Sequence, residues 1–268
     1  MKKLKHLSEI YMSYDTFVID LWGVMHDGVK LYKEAIEAVE NLTKKNKRIV
    51  FLSNAPRPSL NIVNFLREIK MDEKFYKNVL TSGEAAFRSI NNNTFGKKFY
   101  HLGPKKDEPL YADIKENKTS LENCDFILCT GLFTDQMKNL EFYSNLLKSY
   151  KSKKFVCTNP DLTVHKGDRE EFCAGSIAVE FEKIGGKVIY FGKPYEEIYK
   201  ICLRKNEKNL IIGDNLRTDI KGANNLKLDS IFISEGVHRS EFKNENDLSL
   251  LLKKYKVEAN YFQPKLSW

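Results

Sequence analysis

The sequence predicts an α/β fold in which a doubly wound parallel sheet carries a smaller, inserted α/β unit. Short apolar segments with strand character alternate with segments whose apolar residues recur at helical spacing, through most of the 268 residues. This alternation favours parallel strands joined by crossover helices. A break at Gly185–Gly186 ends the middle stretch of the chain. It predicts one domain from residues 1–82 and 187–268, and a second domain from residues 83–186.

The first predicted strand is FVID at residues 17–20, which ends in the carboxylate of Asp20. Gly23 and Gly28 follow, and they allow the backbone to turn tightly just beyond the strand. The other elements predicted in this part are a helix over 33–47, a strand over 48–52, a helix that opens at Pro58 or Ser59, and a strand over 78–81.

The same pattern continues to the end of the chain. No firm element is predicted for residues 103–123, which are polar and poorly periodic, and the N-terminal 15 residues are predicted to form a short amphipathic helix. The remaining predicted strands are 98–102, 126–130, 155–158, 187–191, 209–212 and 228–233, and the remaining helices are 135–148, 175–184, 198–204, 241–254 and one within GDNLRTDIKGA.

The composition argues against several classes of function. The net charge of +8 suits anionic ligands, but the lysines are scattered and form no basic stripe for nucleic acid. No apolar run approaches the roughly 20 residues that span a bilayer, and the basic N-terminus lacks the apolar stretch of a signal peptide. Five dispersed cysteines without a CxxC pair indicate reduced thiols. We therefore expect a cytoplasmic protein with no membrane and no nucleic acid partner.

Polar residues follow four of the predicted strands at the point where each strand ends. They are Asp20, the pair Ser53–Asn54, Lys193, and Asp214 with Asp219. Because parallel strands place their carboxyl ends along one edge of a sheet, we expect these side chains to converge. Each of them also has an ordinary structural explanation, since Asp, Ser and Asn form turns and helix caps and most lysines are exposed to solvent.

These residue types suit phosphoryl transfer. Asp20 and Asp214 offer the hard oxygen ligands that Mg²⁺ prefers, with water and a substrate phosphate completing the octahedron. An aspartate can also attack phosphorus, which splits one hard displacement into two easier ones. Ser53 can donate its hydroxyl to a phosphoryl oxygen, and Lys193 offsets the charge of nucleophile and phosphate. Asp219 is placed to orient Lys193 or a water on the metal.

With these residues identified, the chain resembles the haloacid dehalogenase (HAD) superfamily. The segments that carry the resemblance are, in order, DLWGVMHDG, SNAPRPS, TNPDL, GKP and GDNLRTDI. They are most similar to subclass IIA, the NagD-like and chronophin-like phosphatases, which combine a Rossmann-like HAD core domain with an inserted α/β cap domain of the C2 type. The resemblance covers the chain from Asp15 to beyond Ser234 and implies that residues 83–186 form the cap.

The resemblance also implies a role for each matched position. The catalytic groups would be Asp20 as nucleophile, Lys193 and Asp219. Mg²⁺ would be held by Asp20, Asp214 and the backbone carbonyl of Trp22. The phosphate and the rest of the substrate would be bound by Ser53, Asn54 and Lys193 and, from TNPDL, by Asn159 and Asp161.

Trp22 departs from the pattern of these phosphatases, which have an aspartate at this position to protonate the leaving group. General acid catalysis typically contributes about 10²–10⁴-fold. Three consequences stay open: His26 or Asp27 replaces the acid, the substrate has a leaving group that needs no proton, or the protein binds phosphate compounds with little turnover. Dehalogenases also differ at this position, but the acidic pair in GDNLRTDI suits a metal and argues against carbon–halogen chemistry.

The sequence therefore predicts a Mg²⁺-dependent phosphohydrolase that acts on a small phosphorylated metabolite, a nucleotide or sugar phosphate, through an aspartyl-phosphate. The alternative is a phosphometabolite-binding protein with weak or no turnover. Residues of the cap that could form a polar lid over the phosphate are Asn159, Asp161, His165, Lys166 and Arg169. An exposed polar loop is the other interpretation of this segment. Because members of the family often pair through the cap, a homodimer is expected.

Overall fold

The structure is a computed structural model, and it describes residues 1–166 and 169–268. The side chains of His165, Lys166 and Arg169, three of the predicted lid residues, lie outside this description.

Strands and helices alternate along the whole chain. The strands are β1 (Lys2–Lys3), β2 (Thr16–Ile19), β3 (Arg48–Ser53), β4 (Val79–Thr81), β5 (Phe99–Leu102), β6 (Phe126–Cys129), β7 (Lys154–Cys157), β8 (Thr163–Lys166), β9 (Arg169–Phe172), β10 (Val188–Tyr190), β11 (Asn209–Gly213), β12 (Asp229–Ile233) and β13 (Tyr261–Gln263). The α-helices are α1 (Lys33–Lys44), α2 (Ser59–Glu68), α3 (Ser82–Asn91), α4 (Leu140–Leu147), α5 (Ala174–Lys183), α6 (Glu196–Cys202), α7 (Lys221–Asn225) and α8 (Asp247–Tyr255).

The chain also contains helical segments of the 3₁₀ and π types. A five-residue π-turn, Leu216–Ile220, leads directly into α7, and the 3₁₀ segments are Leu7–Glu9, Tyr11–Ser13, Lys105–Asn117 and Lys148–Tyr150.

The larger sheet has seven parallel strands in the order β1-β13-β12-β11-β2-β3-β4. Its central strands β2 and β11 are buried along their full length, as expected when helices cover both faces of a parallel sheet. Phe17 and Ile19 of β2 pack with the helices α1 and α2 on one face. Val18 points to the other face, where it packs with α6 and α7. The predicted doubly wound α/β core is thus confirmed.

A second parallel sheet, in the order β10-β7-β6-β5, belongs to the inserted unit. Its two faces are covered by α4 with α5 and by α3 with the 3₁₀ segment Lys105–Asn117. Strands β8 and β9 pair antiparallel as a separate hairpin. We call the unit built from this sheet and hairpin the cap.

Strand β10 corrects the predicted course of the chain. The strand at 187–191 was predicted to open the second half of the core, but Val188–Tyr190 pairs in parallel with Phe155–Cys157 of β7. The chain returns through α5 to a position beside β7, and strands that follow one another along a chain are most often neighbours in their sheet. Otherwise the division into 1–82 with 187–268 and 83–186 stays a prediction.

The N-terminal segment also differs from the prediction. Instead of an amphipathic helix, Lys2–Lys3 pairs with β13 at the edge of the larger sheet and two 3₁₀ turns follow. Leu4 and Leu7 are buried in the core there, so the apolar residues are used, but in an extended and turned chain.

Across the described ranges, each helix is too short or too polar to cross a lipid bilayer.

Candidate active site

The carboxyl-terminal edge of the larger sheet gathers the predicted polar residues. Asp20 directly follows β2, Asp214 directly follows β11, and Ser53 ends β3. These three strands are neighbours in the sheet, so their ends open at the same place. Lys193 enters from the loop between β10 and α6, and Asp219 from the π-turn after β11.

Lys193 lies at the centre of this cluster and is buried. Its Nζ lies 2.7 Å from Oδ1 of Asp20 and 2.7 Å from Oδ1 of Asp219. Burial alone opposes the ammonium charge, but the carboxylates of Asp20 and Asp219 hold the pKa of Lys193 well above its usual range. Lys193 is therefore a fixed cation that bridges two carboxylates, rather than a surface lysine.

The carboxylates of Asp20, Asp214 and Asp219 form a compact oxygen cluster, with one oxygen of each within 4.8 Å of the others. Burial raises the pKa of Asp214 well above its usual range, and the charges of Asp20 and Asp219 raise it further. Burial also raises the pKa of Asp20, against the opposing charge of Lys193. Crowded, buried carboxylates of this kind offer the hard oxygen donors that a divalent cation prefers.

The backbone of two neighbouring loops lies unusually close to the carboxylate of Asp214. Its Oδ2 accepts a hydrogen bond of 2.7 Å from the backbone N–H of Val237. A Cβ atom on Gly23 or on Gly236 would lie only 2.0 or 2.1 Å from the same oxygen. Glycine at these two positions therefore leaves the space in which the Asp214 carboxylate, and a cation held by it, can sit.

Asn54 fixes the backbone of Lys193. Its Oδ1 accepts a 2.8 Å hydrogen bond from the Lys193 N–H, and its Nδ2 donates to the Lys193 carbonyl at 3.1 Å. Ser53 lies next to it, and its Oγ accepts a 3.2 Å hydrogen bond from the N–H of Ala55. This bond uses a lone pair of Oγ, so the hydroxyl group of Ser53 can still donate its proton to a phosphate oxygen.

The cap contributes the segment TNPDL, residues 158–162, which we call the cap loop. The Oδ1 of Asp161 accepts hydrogen bonds from the side-chain amides of Asn54 at 3.2 Å and Asn215 at 3.3 Å. Asn159 turns inward, because its Oδ1 accepts the N–H of Asp161 at 3.0 Å. Asp161 thus meets the core directly, whereas the side-chain oxygen of Asn159 shapes the loop behind it.

A small cavity of about 50 Å³ lies between the sheet edge and the cap. Its wall includes Asp20, Trp22, Tyr32, Asp161, Thr163 and Asp214. Burial raises the pKa of Asp161 to about 6, with Lys193 opposing this effect and Asp219 adding to it. The cavity is therefore bordered by the candidate nucleophile Asp20, by Trp22, which replaces the usual aspartate, and by a protonatable carboxyl group of the cap.

Trp22 packs against aromatic neighbours in edge-to-face contacts. Its ring centroid lies 5.4 Å from that of His26, which lies 5.2 Å from the ring of Phe65. The indole thereby forms a wall of the cavity, and its backbone bridges to His26 within the same loop.

Neither His26 nor Asp27 is arranged as a proton donor. The Nδ1 of His26 accepts the N–H of Gly28 at 3.0 Å, and burial lowers the pKa of the ring to about 4. The Oδ1 of Asp27 accepts the N–H groups of Val29 and Lys30, each at 2.9 Å. Although burial acts in the opposite direction, these hydrogen bonds lower the pKa of Asp27. Both side chains hold the loop, and Asp27 is ionised near neutral pH.

Residues that the sequence reasoning did not single out also border the site. Asn215 holds Asp161, and Tyr32, Thr163, Glu235 and Arg239 line the cavity. Asn215 could have been found, because it directly follows Asp214 at the end of a strand. The others carry no such signal: Tyr32 precedes α1, Thr163 begins β8, and Glu235 and Arg239 lie in the segment after β12, where polar residues are common.

Comparisons with known proteins identify the family of the chain. The model of the haloacid dehalogenase-like hydrolase family matches residues 17–115, and a related HAD-hydrolase-like model matches residues 190–251. The two matches flank most of the cap and include both Asp20 and Asp214.

Three individual proteins illustrate the similarity. The ribonucleotide monophosphatase NagD of Escherichia coli is 29% identical over 241 residues, which cover 84% of this chain and 90% of that protein. An acid sugar phosphatase of Staphylococcus epidermidis is 26% identical over 240 residues, covering 85% and 89%. A crystal structure of a haloacid dehalogenase-like hydrolase from Brucella suis 1330 superposes with a TM-score of 0.87 at 30% identity, covering 98% of this chain and 99% of that one. The chain therefore belongs to the haloacid dehalogenase-like hydrolase family, among its NagD-like phosphatases.

Proposed function

We propose that the protein is a Mg²⁺-dependent phosphohydrolase that cleaves small phosphorylated metabolites through an aspartyl-phosphate on Asp20. The observation that carries the proposal is the Lys193 ammonium group, which lies 2.7 Å from both Asp20 and Asp219 beside the carboxylate of Asp214. A nucleophilic carboxylate and a phosphate repel each other, and a buried cation between them offsets that repulsion.

In this proposal each side chain has a defined task. An oxygen of Asp20 attacks the phosphorus atom, and the Ser53 hydroxyl and Lys193 ammonium hold the phosphoryl oxygens. Asn54 keeps Lys193 in place through its two backbone hydrogen bonds. Asp219 orients the ammonium group through its own 2.7 Å contact with Nζ. Holding the reactants in one geometry is itself a large part of such catalysis.

The oxygen cluster fits Mg²⁺, because Asp20 and Asp214 provide hard, buried carboxylate donors and glycines leave room around Asp214. The backbone carbonyl of Trp22 is the third protein ligand in this proposal, since a carbonyl is present whatever the side chain. When bound, the ion neutralises charge on the phosphoryl oxygens during transfer.

The class of substrate follows from the relatives. NagD is named a ribonucleotide monophosphatase, and the Staphylococcus relatives are named acid sugar phosphatases. We propose a nucleoside monophosphate or a sugar phosphate, whose phosphate lies beside Lys193 and whose remainder extends toward the cap. Asp161 and the hairpin residues Thr163 and Val164 line that side of the cavity.

A panel of phosphate esters, assayed with and without Mg²⁺, tests the proposal. It should contain p-nitrophenyl phosphate, ribonucleoside monophosphates and hexose phosphates. We expect Mg²⁺-dependent phosphate release that the Asp20→Asn variant loses and that the matched Asp113→Asn variant, at an exposed position, keeps. Equal release by the wild-type protein and Asp20→Asn would disprove the assignment.

Trp22 supports a second candidate, a phosphometabolite-binding protein with little turnover. Tight binding of a phosphate ester by calorimetry, together with negligible hydrolysis across the panel, would select it. Under the enzymatic proposal, Trp22→Asp should raise turnover of esters with poor leaving groups. A fall would show instead that the indole packs on the substrate or holds the loop.

We further propose that the protein acts in the cytoplasm and that two copies pair through the cap. All five cysteines are free and buried, which suits a reducing compartment. Light scattering at several concentrations measures the pairing, and a monomer at every concentration would contradict it.

A further inference from the structure

The proposed reaction requires a proton for the oxygen that leaves phosphorus, and this inference rests on that proposed function. An alkoxide is a poor leaving group, so its protonation by a positioned acid speeds the step. The usual position holds Trp22, whose indole N–H is a hydrogen-bond donor but not an acid at neutral pH. His26 and Asp27 are held by backbone N–H groups and do not supply the proton.

Asp161 is an acidic side chain that the cap brings to the same cavity. It lines this space together with Asp20 and Trp22, and it comes from the cap loop rather than from the core. Its Oδ1 accepts hydrogen bonds from the amides of Asn54 and Asn215. Both amide donors contact Oδ1, so we assign the proton of the acid form to Oδ2, and the Thr218 side chain is a further neighbour of this carboxyl group.

The charges around the site favour this acid form when a phosphate binds. The positive charge of Lys193 acts on Asp161 and also on Asp20, Asp214 and Asp219. A bound phosphate adds negative charge, which an ionised carboxylate at this wall would repel and a protonated one would meet with a hydrogen bond. Burial already raises the pKa of Asp161 to about 6, so the acid form needs only a modest further stabilisation by the substrate.

We propose that Asp161 is the general acid of this phosphatase and protonates the leaving group, which Trp22 cannot do. An oxygen of Asp20 forms a bond to phosphorus while the bond from phosphorus to the leaving oxygen breaks. The electron pair of that bond passes to the leaving oxygen, which takes the proton from Oδ2 of Asp161. The products of this step are the alcohol, the aspartyl-phosphate and an Asp161 carboxylate.

The second step returns each group to its starting state. A water molecule attacks the phosphorus of the aspartyl-phosphate while the Asp161 carboxylate accepts its proton. The bond between phosphorus and Asp20 breaks, and its electron pair restores the Asp20 carboxylate. Inorganic phosphate leaves, and Asp161 is again protonated. Because the acid belongs to the cap, the set of catalytic groups is complete only when the cap is closed over the core.

Leaving-group dependence separates an acid from a structural role. The nearly isosteric Asp161→Asn variant can still accept from Asn54 and Asn215, but it cannot donate an acidic proton. We expect kcat/KM for an alkyl phosphate to fall by about 100-fold, and that for p-nitrophenyl phosphate, whose leaving group departs unprotonated, to change by less than about threefold. The alkaline decline of the wild-type alkyl phosphate profile should also be lost in the variant.

A second variant provides a rescue. In the Asp161→Asn background, Trp22→Asp should restore at least about tenfold in alkyl phosphate turnover, because it returns an acid to the cavity. Asp27→Asn, matched in chemistry and lining the same cavity, should leave the ratio between the two substrates unchanged. Calorimetry with inorganic phosphate and Mg²⁺ checks that the site of each variant still forms.

Two results would overturn the assignment. An equal loss for both substrates in Asp161→Asn would show that Asp161 only closes the cap, and no loss for either would place the acid elsewhere. In both cases p-nitrophenyl phosphate hydrolysis that depends on Asp20 would leave the proposed function standing. The proposed function itself would fail separately if the Asp20→Asn variant hydrolysed p-nitrophenyl phosphate as fast as the wild-type protein does.

Discussion

At the scale of single residues, the carboxyl group of Asp161 couples solution pH to the stability of the protein. Its pKa is raised to about 6 in the folded protein, against about 3.9 in an unfolded chain. Between these values the folded state holds a proton that the unfolded state has lost, so stability from this group falls as the pH rises. Below about pH 4 both states are protonated, and above about pH 6 both are ionised.

The Asp161→Asn variant should therefore become more stable relative to the wild-type protein as the pH rises from about 4 to about 6. The relative change should amount to at most about 3 kcal/mol, since one pKa unit corresponds to about 1.4 kcal/mol. Urea unfolding at pH 4 and pH 7.5, without divalent cations, measures it, with Asp113→Asn as an exposed control. A stability difference that stays constant with pH would contradict the assigned environment.

The residues also show where sequence reasoning reaches its limit. The motifs predicted that Asp20, Lys193 and Asp214 would meet, because strand ends in a parallel sheet open at one edge. They could not decide whether His26 or Asp27 replaces the missing acid. That depends on hydrogen bonds to backbone N–H groups of the loop, which a pattern of residue types does not encode.

At the scale of elements, the loops after β2 and β12 shape the space around Asp214. Gly23 lies in the first loop and Gly236 in the second, and both approach Oδ2 of Asp214. The site is thus built from strand ends, but its dimensions are set by glycines in two connecting loops.

Gly236→Ala should weaken Mg²⁺ binding, because the added methyl group would start 2.1 Å from Asp214 Oδ2 and displace the carboxylate. We expect at least about a tenfold loss of affinity, or roughly 1.4 kcal/mol. Gly131→Ala is the matched control, since its new Cβ would meet its nearest neighbour, Pro104, at 3.3 Å. Isothermal titration with Mg²⁺ measures both variants, and equal affinities would contradict the steric account.

The elements that sequence alone predicted most accurately are the central strands of the larger sheet. Strands β2, β3, β11 and β12 were predicted to within one or two residues, because their apolar runs are long and bounded by polar residues. The edge strand β1, the hairpin β8–β9, the short strand β13 and the helix α3 were missed. Lys2–Lys3 is exposed and the hairpin is rich in polar residues, so backbone pairing rather than apolar burial defines β1 and the hairpin.

At the scale of the whole molecule, contacts between the core and the cap hold the site closed. Ser82 Oγ donates toward the carbonyl oxygens of Ala55, at 2.9 Å, and of Thr158, at 2.5 Å, at the start of the cap loop. Arg57 of the core reaches Asp107 of the cap, with Nε lying 3.4 Å from Oδ1. Burial raises the pKa of Asp107, and the charge of Arg57 opposes this effect.

Arg57→Leu should destabilise the protein more than Asp107→Asn does. The first change leaves a buried carboxylate without its cation, whereas the second removes the charge that needs one. We expect the free energy of unfolding to fall by roughly 2–3 kcal/mol in Arg57→Leu, less than for a fully buried pair, because 33% of the Arg57 side chain is exposed. Urea unfolding at pH 7.5 compares the variants, and the reverse order would contradict the interface.

The large-scale plan was predictable except at the return from cap to core. Alternating strands and helices indicated the parallel sheets and the insertion, but the sequence of β10 does not say which sheet it joins. Val188–Tyr190 is apolar enough for either sheet, and its backbone pairing with β7 is what assigns it to the sheet of the cap.

Trapping the intermediate tests the central claim that Asp20 is the nucleophile. Borohydride reduces an acyl phosphate but not a free carboxylate, so quenching a reacting mixture of enzyme, Mg²⁺ and p-nitrophenyl phosphate should convert Asp20 to homoserine. Peptide mass spectrometry locates the change. We predict that it falls on Asp20 and is absent from Asp20→Asn; reduction at another carboxylate, or at none during steady turnover, would contradict the mechanism.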